Sequence, residues 1–371
     1  MNCIFPSFNY IGSKMKLLNF IETCIKKYTG KELKQINGFA DPFSGTGIVD
    51  YYLLKNGCKK IFVNDIQHYA YIVSSVWCLN DVDIIKIRDL INNINTLNNG
   101  ITSDDIEMND ENFITNNYTE LGDAQRMYFT VENGYKIDKT RQNLQKLKQT
   151  GIINTKEFNL LLKILLYAVA KVSNIASVYG AYLKYYKTSS LKPLTLDITL
   201  LDKLLKADKT INIMSTNTNV INLLETNDLS NYEIVYIDPP YVSNRNYDSN
   251  YHILETISKY DHPEIRGKTG IRNDTTTKST FCSKRDAYDS FKIIFERIKS
   301  KYIFLSYSSE SILSKEEMTN LLESSGYKDI QIFEKEYTRF RSNSLTDPDQ
   351  TVTEYLFCGK NTFKNKNKNI A

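Results

Sequence analysis

A chain of 371 residues is long enough to bury a sizeable core, and its length suggests one large domain or two modest ones. Hydrophobic residues make up 41% and charged residues 24%, as in ordinary soluble globular proteins, and no apolar run is long enough to span a membrane. The net charge of +4 permits a polyanionic partner such as nucleic acid but does not require one.

The cysteines and histidines do not indicate a metal site. The six cysteines never form a Cys-x-x-Cys pair, and the three histidines are dispersed. We therefore expect reduced thiols and no bound metal. The N-terminus lacks a basic segment followed by an apolar one, so we expect no signal peptide and a cytoplasmic protein.

The first predicted elements form a strand–helix–strand unit of the nucleotide-binding type. Apolar residues at helical spacing predict a helix over residues 15–28. A short strand in "INGFADPF" then leads into the turn "FSGTG", which opens a helix. The next strand, "KKIFVNDIQ", ends in an acidic residue and is followed by the helix "YAYIVSSVWCL".

Residues 82–197 predict a mostly helical insertion, because strand-like alternation is scarce there. The stretch from residue 155 to residue 187 is interpreted as helical throughout. Strands and helices then alternate again, with strands predicted at 209–216, 234–237, 302–308, 327–337 and 351–359 and helices at 288–300 and 314–325.

The predicted domains follow from this order. Residues 1–81 and 198–371 form one discontinuous α/β domain, which the helical domain of residues 82–197 interrupts. Residues 361–371 are rich in lysine and asparagine, so we expect a disordered basic tail.

Three turns with chemically interesting residues follow predicted strands, and ligands of open parallel sheets bind beyond the carboxyl ends of strands. "ADPFSGTG" places glycines where the backbone can approach a ligand before a helix. It lacks the lysine of a P-loop, and alone it also fits a turn that binds nothing. Asp65, at the next strand end, suits two ribose hydroxyls, but alone it also fits a helix N-cap.

The third turn, Asp238-Pro239-Pro240-Tyr241, combines hydrogen-bond acceptors with an aromatic ring. The prolines fix the backbone and remove amide donors, so the Asp238 carboxylate and the nearby carbonyls form a group of acceptors. Such a group suits an amine with two N–H bonds, and Tyr241 offers a face for a planar ring. An exocyclic amino group of a nucleobase fits both features, and inside a duplex that base would have to flip out.

Together these residues resemble the Dam-like alpha group of N6-adenine-specific DNA methyltransferases of the restriction-modification type. Asp238–Tyr241 looks like the catalytic tetrapeptide, and "FADPFSGTG" is similar to the glycine motif that binds S-adenosyl-L-methionine (AdoMet). "NDIQ" resembles the ribose-binding strand end, and "NYIGSKMKLL" resembles the N-terminal motif of the group. The motif order, with a long insertion before Asp238, is also that of the group, and the resemblance spans about residues 5–360.

The resemblance implies a Rossmann-like α/β AdoMet-dependent methyltransferase sheet with helices on both faces, and a helical target recognition domain. It implies transfer of the AdoMet methyl group to N6 of a flipped adenine in a specific site of double-stranded DNA. Asp238 and the Pro239 carbonyl would accept the amino hydrogens, beside Pro240, and Tyr241 would stack on the base. The implied cofactor contacts are Tyr10, Lys14, Asp41, Phe43, Ser44, Gly45, Thr46, Gly47, Asp65, Ile66, Asn219 and Asp238.

Asn219 departs from the pattern, because the group usually has an aspartate there. Residues 241–251 and 262–274 are interpreted as a loop that clamps backbone phosphates and orders on DNA binding, although a solvated loop explains each of these residues equally well. Within the insertion, the aromatic and basic stretch 179–192 is the candidate DNA contact. These candidates are Tyr182, Lys184, Lys187, Arg245, Tyr247, Tyr251, Arg266, Lys268 and Arg272. The basic loop "RFRSNS" is a third candidate or a plain hairpin tip. We expect a monomer, with a cognate restriction endonuclease encoded nearby as a further partner.

Other functions fit the residues less well. Enzymes that methylate cytosine N4 typically carry Ser-Pro-Pro-Tyr, and those that methylate protein glutamine carry Asn-Pro-Pro-Tyr. Adenine in RNA is an alternative acceptor, because single-stranded bases are also splayed and stacked. A non-catalytic nucleic-acid-binding protein would not need both motifs intact, and an ATP-dependent enzyme would need a P-loop lysine.

Overall fold

The computed structural model describes residues 10–106, 109–241, 247–274, 279–338 and 351–362. The α-helices within these ranges are α1 (Leu18–Thr29), α2 (Ile48–Lys55), α3 (His68–Ser75), α4 (Ile84–Asn99), α5 (Phe113–Tyr118), α6 (Val131–Gln149), α7 (Thr155–Val172), α8 (Val220–Thr226), α9 (Tyr247–Lys259), α10 (Ala287–Arg297) and α11 (Lys315–Ser324). The strands are β1 (Phe39–Asp41), β2 (Lys60–Asn64), β3 (Asn212–Thr216), β4 (Ile234–Ile237), β5 (Ile265–Arg266), β6 (Ile271–Arg272), β7 (Tyr302–Ser308), β8 (Tyr327–Thr338) and β9 (Thr351–Asn361).

Seven strands form one sheet in the order β3-β2-β1-β4-β7-β9-β8. The first five are parallel, while β9 runs antiparallel to both β7 and β8. From β1 the chain adds β2 and then β3 on one side of β1, and it adds β4 and then β7 on the other side. The strand order therefore reverses between β1 and β4. This is the point at which open α/β sheets bind ligands.

Helices cover both faces of the sheet. Alternate side chains of β2 point to opposite faces, as the two-residue period of a strand requires. Ile61 and Val63 belong to the apolar cluster with α1, α3 and α7, whereas Phe62 belongs to the cluster with α8, α10 and α11. All four residues of β4 are buried, as expected for a central parallel strand. The predicted α/β sheet with helices on both faces is confirmed.

The predicted insertion contains α4 to α7, and α7 packs against α3 of the sheet. The prediction of helix up to residue 187 is wrong, because α7 ends at Val172. Polar side chains replace the helical hydrogen bonds after that residue. The Ser173 hydroxyl donates to the Val169 carbonyl, and the Asn174 amide donates to the carbonyls of Met127 and Leu183.

The interpretation of the segment after Tyr241 as a loop is also wrong for its described part. Residues 247–259 form α9, and β5 and β6 form an antiparallel hairpin. The buried residues Ile253, Leu254 and Ile257 recur at helical spacing and place one face of α9 in the core.

The C-terminal strands match the prediction, with β9 ending at Asn361. The rest of the predicted tail, from residue 363, lies outside the described residues, as does the "RFRSNS" loop. No helix in the described part of the chain has both the length and the apolar character needed to cross a membrane.

Candidate active site

A cavity of about 460 Å³ lies at the carboxyl ends of β1, β2 and β4. The sheet topology brings its walls together, because parallel strands end at the same edge of a sheet. Every cofactor contact implied by the sequence lines this cavity except Gly47. All four residues of the Asp238–Tyr241 tetrapeptide line it as well.

The glycine turn has a backbone that requires glycine at two positions. Gly45 has φ of 52° and Gly47 has φ of 69°, both in the left-handed region. A Cβ atom on Gly47 would lie 2.7 Å from Nε1 of Trp77, and one on Gly45 would lie 3.1 Å from the Tyr10 hydroxyl. Gly47 therefore shapes the turn from behind the cavity, whereas Gly45 lines the cavity beside Tyr10.

The Asp65 carboxylate closes the turn. Its two oxygens accept hydrogen bonds from the backbone N–H groups of Gly45 and Gln67, each at 2.9 Å. Burial raises the pKa of Asp65 to about 6, although these two hydrogen bonds act to lower it. The neighbouring Ile66 is 59% exposed, which is unusual for a large apolar side chain beside a cavity.

A second carboxyl group lies behind the turn. Asp41 is buried and accepts a hydrogen bond from the Phe43 amide at 3.0 Å, and burial, followed by the nearby Asp50, raises the pKa of Asp41. Asp50 was missed in the sequence analysis. It is fully buried, and neither carboxyl oxygen accepts a hydrogen bond from any other described residue. Burial raises the pKa of Asp50 well above its usual value. Its position within the apolar run "GIVDYYLL" was the available signal.

Lys14 and Asp238 form a buried ion pair at the other side of the cavity. The Lys14 ammonium lies 2.8 Å from Oδ1 of Asp238, and Lys14 is 4% exposed. Burial alone would lower the pKa of Lys14, but the Asp238 charge and the hydroxyl of Tyr241 contribute to raising it well above its usual value. Burial raises the pKa of Asp238, while Lys14 acts to lower it.

The Tyr241 ring is positioned by neighbours that the motif does not contain. Its hydroxyl lies 3.5 Å from the Lys14 ammonium, and its ring centroid lies 5.1 Å from that of Tyr307. The thiol of Cys282 donates to the Pro240 carbonyl at 3.3 Å. Cys282 and Tyr307 were missed in the sequence analysis because each is more than forty residues away from the tetrapeptide in the chain.

Two of the candidate DNA contacts are wrong. Arg272 is 1% exposed, and its guanidinium pairs with Asp261 and Asp274, each at 2.7 Å, so it is not available to a phosphate. Tyr251 is also 1% exposed and packs inside the protein. Both predictions failed because basic and aromatic residues between polar neighbours were taken to be exposed.

The remaining candidates differ in exposure. Lys184, Arg266 and Lys268 are exposed, and Tyr182 is half-buried with its ring against Tyr128. The Lys187 ammonium donates to the Ile175 carbonyl at 2.9 Å. Arg245 lies outside the described residues, and only the backbone of Tyr247, at the start of α9, is described.

Comparisons with known proteins match this arrangement. The profile of the family described as "D12 class N6 adenine-specific DNA methyltransferase" matches residues 10–321. Type II methyltransferase M.NlaIII of Neisseria lactamica is 33% identical over 96% of this chain and 100% of its own length.

Two longer relatives match over part of their length. Type II methyltransferase M.FokI of Planomicrobium okeanokoites is 35% identical over 94% of this chain and 52% of its own length. Modification methylase LlaI of Lactococcus lactis subsp. lactis is 34% identical over 90% of this chain and 52% of its own length. The chain thus spans about half the length of these two relatives and the whole of M.NlaIII.

The family match covers both the cavity and the Asp238–Tyr241 tetrapeptide, and M.NlaIII is similar over its whole length. The chain belongs to the D12 class N6 adenine-specific DNA methyltransferases, enzymes that methylate the N6 amino group of adenine in DNA.

Proposed function

We propose that this chain transfers the methyl group of AdoMet to N6 of one adenine in a specific sequence of double-stranded DNA, after that adenine has left the base stack. The observation that carries the proposal is the buried Lys14–Asp238 pair, which shares one cavity with Asp65 and the glycine turn. The proposed site for the adenine amino group is therefore adjacent to the proposed site for the nucleoside part of AdoMet.

The residues of the cavity fit AdoMet. Its volume of about 460 Å³ is within the usual range for small-molecule sites. Asp65 would accept hydrogen bonds from the ribose hydroxyls, and the exposed Ile66 would cover the cofactor adenine. Gly45 leaves the backbone open to close approach. Asn219 lines the same cavity, and its side-chain oxygen accepts from the Ile221 amide at 2.8 Å, which leaves its NH₂ group as the donor toward the adenine.

AdoMet, when bound, supplies an electrophilic methyl group. The chain's own residues hold the acceptor amine. The Asp238 carboxylate and the Pro239 carbonyl accept the two amino hydrogens, and Asp238 stabilises the positive charge that develops on N6. Lys14 keeps Asp238 ionised and oriented, since its ammonium lies 2.8 Å from Oδ1. The Tyr241 ring stacks on the adenine, and Pro240 keeps the segment rigid.

Duplex DNA would contact exposed basic residues of the β5–β6 hairpin and of the predicted target recognition domain. Arg266 and Lys268 project from the β5–β6 hairpin, and Lys184 lies in the predicted target recognition domain. Lysine and arginine at such positions bind phosphates and set the register, whereas base edges specify the sequence. A base within a stacked duplex is inaccessible to the cavity, so the target adenine must flip out.

The test is methyl transfer from labelled AdoMet to unmethylated genomic DNA, followed by single-molecule sequencing for modified bases. The wild-type protein is compared with Asp238→Ala. We expect N6-methyladenine in one recurring sequence with the wild type and none with the variant. Methylation of RNA alone, or N4-methylcytosine in the product, would overturn the proposed substrate, and a protein that does not bind AdoMet would overturn the proposed cofactor.

We further propose that the chain acts as a cytoplasmic monomer that protects DNA from a restriction endonuclease with the same recognition sequence. The names of the relatives, type II methyltransferases and modification methylases, support this role. DNA methylated by the protein should resist one restriction activity from the same cell extract, and analytical ultracentrifugation should give the mass of one chain.

A further inference from the structure

We propose that Tyr251 is a positioning residue, which fixes the segment Tyr10–Lys14 against the methyl-donor cavity from its place on α9. This inference rests on the proposed function, because it assigns a role in binding AdoMet. Tyr251 does not line the cavity, so it acts through the segment that does.

The Tyr251 side chain holds the segment at two points. Its hydroxyl accepts a hydrogen bond from the backbone N–H of Ile11 at 2.7 Å, and its ring stacks on that of Tyr10, with centroids 5.1 Å apart and planes at 26°. The ring of Tyr69 packs on Tyr251 as well, with a centroid distance of 5.5 Å. The backbone of α9 leaves helical geometry at this one residue (φ −128°, ψ 15°). Tyr251 therefore connects α3, α9 and the N-terminal segment.

The position of this segment affects both the glycine turn and Asp238, which line the same cavity. The Tyr10 ring borders Gly45, and Lys14 pairs with Asp238. Tyr10 and Ile11 both line the cavity, and Tyr10 does so beside the glycine turn that is proposed to bind AdoMet. Loss of the hydrogen bond from Ile11 would affect AdoMet binding before it affects Asp238, because Tyr251 contacts Tyr10 and Ile11 in this segment, whereas Lys14 is the residue that pairs with Asp238.

The helix α9 is itself fixed to the start of α3 and to the turn that contains Asp65. The Glu255 carboxylate accepts hydrogen bonds from the backbone N–H groups of His68 and Tyr69, at 3.1 and 3.0 Å, and so caps the start of α3. Asp248 accepts a hydrogen bond from the Gln67 side chain, next to the Asp65 turn. The anchor of Tyr251 is therefore rigid relative to Asp65, as a positioning role requires.

The structure provides a matched pair of variants. Tyr251→Phe removes a hydroxyl that accepts a hydrogen bond from Ile11, and it keeps the stack on Tyr10. Tyr69→Phe removes a hydroxyl from the same aromatic cluster, and that hydroxyl has no hydrogen-bond partner among the described residues. Both changes delete one oxygen from a buried ring, so a general effect on packing would appear in both.

Calorimetry measures the dissociation constant for AdoMet. Methyl-transfer assays measure kcat, the KM for AdoMet and the KM for DNA. We expect Tyr251→Phe to raise the dissociation constant and the KM for AdoMet about fivefold, because the hydrogen bond from Ile11 is lost. The KM for DNA should stay unchanged. Tyr69→Phe should behave as the wild type. Tyr251→Leu, which also removes the stack, should bind AdoMet still more weakly.

Unchanged AdoMet affinity in Tyr251→Phe, an equal loss in both phenylalanine variants, or an effect on the DNA KM alone would each overturn the positioning role. Because Tyr251→Phe is conservative, the test stands even where Tyr251→Leu fails to fold. A wild-type protein that binds no AdoMet would instead overturn the proposed function, together with this inference.

Discussion

The Lys14–Asp238 pair places a positive charge next to the carboxylate that, in the proposed reaction, accepts hydrogen bonds from the adenine amino group. A buried carboxylate without a partner takes up a proton, and a protonated Asp238 would accept the amino hydrogens poorly. Lys14 opposes this, since it acts to lower the pKa that burial raises. Its function in the proposed reaction is thus to hold Asp238 in the ionised form.

Lys14→Met should lower kcat by about a hundredfold, in the range for the loss of one electrostatic contact in an active site. Without the ammonium the pKa of Asp238 rises, so the acid limb of the pH–rate profile should move to higher pH. Lys16→Met, at an exposed lysine two residues along the same segment, is the control. An acid limb at the wild-type position in Lys14→Met would contradict this role.

Asp65 should make AdoMet binding dependent on pH. Its pKa in the free protein is about 6 because of burial, and ribose hydroxyls donate to the carboxylate form. Binding therefore favours the deprotonated group, and affinity is full above this pKa and is lost as the pH falls through it. We expect a loss of up to about tenfold per pH unit below the pKa, measured by calorimetry. Asp65→Asn should bind weakly at every pH without this slope, and the same slope in Asp65→Asn would assign it to another group.

At the scale of elements, a buried arginine is one of the side chains that hold the turn of the β5–β6 hairpin. Arg126 donates to the carbonyls of Lys268 and Gly267, at 3.0 and 3.1 Å, and to that of Asn117 at 2.9 Å. It is 8% exposed, so these carbonyls are largely shielded from water. The hairpin presents Arg266 and Lys268 to solvent from a turn that Arg126 fixes to α5.

Arg126→Gln should release this turn and raise the dissociation constant for duplex DNA about tenfold, because the two basic side chains are no longer preorganised. AdoMet affinity should stay at the wild-type value. Fluorescence anisotropy of a labelled duplex measures the first quantity and calorimetry the second. Arg88→Gln, at a more exposed arginine paired with Asp202, is the control for charge. Equal DNA affinity in the two variants would show that the hairpin does not bind DNA through a fixed turn.

The strand ends were predictable from sequence, and the contacts that support them were not. β4 is an unbroken apolar run and every residue of β7 is buried, as in central parallel strands, and each strand ends where the prediction ends it. The motifs meet because their strands end at one edge of the sheet. Tyr251 and Ile11, by contrast, are 240 residues apart, and Arg126 and Lys268 are 142 apart. No local pattern encodes such pairs, which is why the sequence predicts a phosphate-clamping loop where α9 begins.

At the scale of the whole molecule, the predicted helical domain and the sheet share one core. Leu161 and Leu165 of α7 belong to the same buried cluster as Val73 and Trp77, which lie on the other side of the predicted domain boundary. The Lys163 ammonium, also on α7, donates to the Val76 carbonyl at 2.6 Å and lies over the Trp77 ring. Helices that share a core with a sheet in this way should unfold with it.

Leu165→Ala tests this cooperativity. The side chain is fully buried, so the change should lower the free energy of unfolding by about 2–5 kcal/mol. Urea unfolding can be followed by fluorescence of Trp77, the single tryptophan, and by far-ultraviolet circular dichroism. The unfolding midpoints measured by the two signals should coincide and should both shift to a lower urea concentration. Leu97→Ala, at a leucine that is 64% exposed on α4, should change stability by less than about 0.5 kcal/mol. Two separate transitions, with only one shifted by Leu165→Ala, would instead mean that residues 82–197 unfold independently of the sheet.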